Sequence, residues 1–109
     1  MAQLERRLSG DFSEIRSRIH HGILDSSFTA ELNGSHDFVG RNSRCSIRVY
    51  ERYSAFGGNR VSLSVTLYQE GDGPIYLSAI SAGGSQAMFI KVNTFSEEAF
   101  LDMLRKIID

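Results

Sequence analysis

Tryptophan is absent from this chain, and cysteine and proline occur once each. The lone Cys45 excludes an internal disulfide and any zinc site built on several thiolates. The single Pro74 speaks against a disordered or linker-rich chain. No apolar run approaches the ~18 residues of a membrane helix, and the N-terminus lacks the apolar core of a signal peptide. Charge of one sign is lacking too. A net charge of −1 leaves no overall field to draw the chain to nucleic acid or to an acidic membrane. A reducing cytoplasm is the expected compartment, with no membrane and no nucleic acid as partner.

What is present suits one domain. The 109 residues suffice for a core without disulfides or a structural metal. Arginine supplies most of the twelve basic residues. That bias fits planar recognition of carboxylate or phosphate, but a genomic preference for arginine codons is the favoured reading.

Hydrophobic periodicity divides the chain. Residues 3–9 read either as a helix turn or as a short edge strand. Asp11 with Glu14 three residues later resembles a capping box, and Phe12, Ile15, Ile19 and Ile23 form one helical stripe. This spacing predicts a helix over 12–24. Period two follows: Phe28, Ala30 and Leu32; Cys45, Ile47 and Val49; then Val61, Leu63, Val65 and Leu67. Each set alternates with polar residues, as in strands with one buried face, and the short connections between them imply an antiparallel meander. Ser96 suits an N-cap, with Phe95 and Phe100 placed as a hydrophobic staple, and Phe100, Leu101, Leu104, Ile107 and Ile108 mark the apolar face of a helix over 96–108. The expected fold is α+β: an antiparallel meander of five to six strands, with both helices on one face.

Gly83-Gly84 lies between two strand-like runs, Ile75–Ala82 and Gln86–Val92, and suits a two-residue hairpin turn. That turn would set Ile75, Leu77 and Ala79 opposite Val92, Ile90 and Met88, and Ser81 opposite Gln86. Extending the register with Val61 opposite Ser81 and Tyr53 opposite Val61 gives an inward row of Tyr53, Val61, Ser81 and Gln86. The adjacent row reads Glu51, Leu63, Ala79 and Met88. Polar groups on a core face need partners, a wet rim or a cavity to line. Three readings stay open: a frayed rim, a ligand pocket, or a β-bulge near Glu51 that inverts the parity.

The outward face would carry Arg48, Tyr50, Arg52, Tyr76, Ile80 and Phe89. Arginine and aromatic enrichment is typical of contact surfaces, so this face is the expected homo-oligomer interface.

Other motifs yield little. The glycine pair leads into a strand rather than a helix, unlike a phosphate loop. Cys45 reads as an inward, inert core residue rather than a nucleophile paired with His20, His21 or His36. His20 and His21 diverge by about 100° on a helix, which does not suit one metal. No metal or other cofactor is expected. The sheet face loosely resembles base-stacking sheets, but no matching motif accompanies it.

Several stretches carry a family resemblance: Arg48-Val49-Tyr50-Glu51-Arg52-Tyr53-Ser54, Asn59-Arg60-Val61-Ser62-Leu63, Ser81 through Phe89, Asn93-Thr94-Phe95 and Glu97-Glu98-Ala99-Phe100-Leu101. Together they resemble a family of short uncharacterised bacterial proteins, a domain of unknown function, over nearly the whole chain. The resemblance implies a stand-alone bacterial cytosolic protein and brings no activity, cofactor or catalytic residue. The element order is also analogous to a reduced helix-grip arrangement, which holds apolar ligands under its last helix.

Three functions follow as expectations. The first is a non-enzymatic domain binding a small apolar or amphipathic ligand at Glu51, Tyr53, Ser81, Gln86 and Met88. The second is an interaction module that self-associates through its outward face. The third is an enzyme using Glu51 as acid or base.

Overall fold

In a computed structural model, residues 1–53, 59–83 and 90–109 are described, the side chains of 90–96 excepted. The chain runs β1 (Ala2–Leu8), α1 (Phe12–Asp25), β2 (Glu31–Val39), β3 (Ser43–Tyr53), β4 (Arg60–Glu70), β5 (Ile75–Gly83) and α2 (Ile90–Ile108). One sheet of five antiparallel strands has the order β1-β5-β4-β3-β2. The α+β class, the β2–β5 meander and both helices agree with the periodicity. Residues 3–9 form the edge strand.

Local chemistry explains α1. The Asp11 carboxylate accepts from the Glu14 backbone N–H at 2.9 Å, satisfying one of the amides left free at a helix start. Phe12, Ile15, Ile19 and Ile23 are the buried stripe. α2 packs on β1, β4 and β5 and against α1, while Arg16 and Ile19 of α1 lie over Ser46, Tyr50, Val65 and Leu67. Between sheet and helices, Val61, Leu63, Ile75, Ala79, Phe100, Leu101 and Leu104 are wholly buried. Each large member contributes about 1.5–3 kcal/mol by leaving water.

The structure corrects the strand expected after Gly83. Ile90 and Val92 belong to α2, which begins at Ile90 rather than at residue 96, so Ser96 lies within the helix and is not its cap. Residues 84–89, including Gln86, Met88 and Phe89, lie outside the described residues. The physical reason is that β1 occupies the position beside β5: Leu4 opposes Ala79 and Leu8 opposes Ile75. Both edges of β5 are therefore paired, and from Ile90 on the backbone satisfies its hydrogen bonds within a helix. Phe28 also departs from expectation, because β2 starts only at Glu31 and Phe28 is fully exposed.

A second correction matters more for function. Arg52, not Tyr53, opposes Val61, and Tyr50 opposes Leu63. Because side chains alternate, that single step turns every residue of β3 to the other face. Ser46, Arg48, Tyr50 and Arg52 point towards the helices, whereas Cys45, Ile47, Val49, Glu51 and Tyr53 point away. The polar inner row is tolerated because long side chains bury their stems while their tips find partners. Among the described residues, no helix is long and apolar enough to cross a membrane.

Candidate functional site: the outer sheet face

Both helices lie on the inner face, and the outer face is read from the register in rows. One row crosses all five strands as Arg7, Tyr76, Tyr68, Cys45 and Phe38. The next reads Glu5, Ser78, Thr66, Ile47 and His36, and the third Gln3, Ile80, Ser64, Val49 and Gly34. Five of the large apolar or aromatic side chains left in the open lie here. Phe38 is 58% exposed, Tyr53 49%, Tyr76 46%, Ile80 39% and Tyr68 38%.

Relief accompanies this chemistry. Between Arg60 and Glu70 at its ends, β4 presents hydroxyls outward, Ser62, Ser64, Thr66 and Tyr68, and the first three are short. Tyr68 and Tyr76 stand as directly opposed neighbours, with the Arg7 guanidinium 5.5 Å from the Tyr76 ring centroid. Beside them is an open depression of about 530 Å³, lined by Glu5, Arg7, Thr66, Tyr68, Tyr76 and Ser78 among others. The face thus offers aromatic ridges next to a trough floored by small side chains.

At the far end Arg60 closes the surface. It bridges Glu31 and Glu51, with Nε 3.3 Å from the Glu51 carboxylate. Hydrogen bonds to Glu31 and then Glu51 hold its guanidinium more firmly protonated than usual.

The described members of the expected ligand set, Glu51, Tyr53 and Ser81, do not share one face. Glu51 and Tyr53 lie on the outer face, Glu51 in the Arg60 pair and Tyr53 under the Arg60 guanidinium at 5.3 Å. Ser81 lies on the inner face, wholly buried, its hydroxyl donating to the Ser62 carbonyl at 2.9 Å. Of the expected interface residues, Tyr76 and Ile80 face outward, whereas Arg48, Tyr50 and Arg52 face α1 and α2. Arg52 lies 4.1 Å from the Phe100 ring centroid, and burial lowers its pKa. Cys45, expected inside, is half-buried on the outer face.

A polar seam runs along the inner face between α1 and β3, and periodicity alone did not mark it. His20 Nδ1 and the Tyr50 hydroxyl are 2.9 Å apart. Burial pushes the Tyr50 phenol up to about 12; burial first, then His21 and Arg48, lowers the His20 pKa. Arg48 donates to Ser46 and, at 3.1 Å, to Asp37, whose pKa that hydrogen bond lowers. The signal was available: Phe12, Arg16 and His20 at i, i+4 spacing, and Ser46, Arg48 and Tyr50 at i, i+2. Only the parity of β3 reveals that the two rows meet. Among the described residues, no group of three His, Cys, Asp or Glu side chains gathers to hold a metal.

No curated protein and no solved structure matches the chain. The model of a family of unknown function (DUF6054) matches residues 1–109. The chain therefore belongs to that family.

Proposed function

We propose that this protein is an interaction module that pairs with a second copy of itself through the outer sheet face. One observation carries this reading: β3 turns its aliphatic row, Ile47 and Val49 with Cys45, away from the helices, beside exposed Phe38, Tyr68, Tyr76 and Ile80. A strand whose more apolar side faces outward suits burial by another layer.

Size supports the same reading. Five strands at about 4.8 Å spacing and roughly 30 Å long present about 700 Å². A standard interface buries about 800 Å² per partner, so the sheet face alone approaches what a stable dimer needs. Around a two-fold axis, the Tyr68–Tyr76 ridge of one copy can enter the small-residue trough of the other, as self-complementary contacts require. The layer between sheet and α2 is filled by Leu63, Ser81, Phe100, Leu101 and Leu104, and this packing favours pairing over a ligand held there.

Sedimentation equilibrium tests the proposal. The wild-type chain is expected to dimerise, and Tyr76→Glu and Ile80→Glu to shift it to monomer with unchanged circular dichroism. A wild-type monomer at millimolar concentration, or an unaltered dimer in both folded variants, would overturn it.

A further inference from the structure

We propose that the seam between α1 and β3 binds a phosphate-type oxyanion through Arg16, Arg44 and Arg48. The seam lies on the opposite face from the proposed dimer contact. Two guanidiniums converge there on one carboxylate, and a third lies close by. Arg48 lies 3.1 Å and Arg16 3.5 Å from the same Asp37 oxygen. Arg44 joins them through Phe12, whose ring centroid is 5.3 Å from its guanidinium and 5.8 Å from that of Arg16. The seam therefore carries three positive charges against one negative.

Preorganisation points the same way. The Arg48 side chain is only 19% exposed, and its stem lies in the core layer beside buried Ser46 and Tyr50. Its bonds to Ser46 and Asp37 both come from Nη1, whereas a guanidinium offers five N–H donors in a planar fork. Asp37 is the weaker partner. It stands on β2, every residue of which is exposed, and its own side chain is 44% exposed. In this arrangement Asp37 occupies the place that an external oxyanion would take. A single carboxylate leaves the charge unbalanced. A dianionic phosphate monoester, with several acceptor oxygens, matches three guanidiniums better.

The test is titration of the full chain with inorganic phosphate and with glycerol phosphate at constant ionic strength, followed by the arginine Nε–H resonances. Saturable shifts confined to Arg16, Arg44 and Arg48 are expected. Replacing Asp37 by Asn removes the internal competitor and is expected to tighten binding about threefold to fivefold. Arg48→Lys loses the fork and is expected to weaken binding about tenfold. A parallel arm adds phosphatidylcholine vesicles with and without phosphatidic acid. Response to the soluble phosphates assigns a free ligand, and response only to phosphatidic acid assigns a headgroup. Should Asp37→Asn disturb folding, Arg44→Gln, at an exposed position, must weaken binding in its place. No saturable shift in any arm, or tighter binding in none of the folded Asp37→Asn protein's titrations, overturns the proposal.

Discussion

The Tyr50 hydroxyl and His20 Nδ1, 2.9 Å apart, join β3 to α1 across the inner layer of the fold. This pair links stability to pH. The His20 pKa is lowered from 6.5, so the folded state favours the neutral imidazole. Its contribution is complete above the unfolded pKa and is lost as pH falls from 6.5 through the lowered folded value. Urea unfolding between pH 7.5 and 5 is expected to show falling stability on the acidic side. His20→Gln should flatten that part of the profile, and an unchanged slope would dismiss His20 as its source.

Cys45 reports on the outer face. Its half-buried thiol stands between Tyr68 and Phe38 in the row that the proposed dimer covers. Alkylation by a neutral thiol reagent should slow as protein concentration rises. In Tyr76→Glu the rate should become independent of concentration. A thiol unreactive at every concentration would instead match a core position, contrary to the register.

Gly22 sets the approach of the two helices. A Cβ built there meets Ile107 Cδ1 at 2.7 Å and Cγ1 at 2.9 Å. Gly22→Ala gains helix propensity of about 1 kcal/mol, but overpacking costs about 1–3 kcal/mol. A net loss of about 1 kcal/mol is expected in denaturant titration. Shortening the opposing side chain in Gly22→Ala/Ile107→Ala should make the two changes non-additive, and simple additivity would exclude the contact as the cause.

Asp11 offers a local test of α1. Asp11→Ala removes the acceptor for the Glu14 N–H and is expected to cost about 1 kcal/mol, whereas Asp11→Ser should retain most of the stability. Equal losses in the two variants would mean that the hydrogen bond is not the source.

The fold was legible where a residue's environment follows from its near neighbours in the chain. The Phe12, Ile15, Ile19 and Ile23 stripe and the Asp11 cap mark α1, and the Val61–Leu67 alternation gives both the position and the facing of β4. The same alternation located β3 but misassigned its faces. Cys45, Ile47 and Val49 are the more apolar set, yet Ser46, Arg48, Tyr50 and Arg52 are the inner ones. Hydrophobicity cannot anticipate that exchange, because it depends on partners supplied by distant elements: His20 for Tyr50, Asp37 for Arg48 and Phe100 for Arg52.

The candidate sites inherit that distinction. Tyr76 and Ile80 were identifiable as outward residues because β5 keeps its expected parity, whereas Glu51 and Tyr53 were separated from Ser81 by the one-residue step at Val61. By itself the sequence determined α1, the helical character of the C-terminal segment, the β2–β5 meander and the packing of two helices on one sheet, since amphipathic period is a local property. Only the tertiary structure decided that β1, rather than a run following Gly83, completes the sheet beside β5. It also decided which row of β3 is buried, because strand pairing and the satisfaction of buried polar groups are settled between residues far apart in the chain.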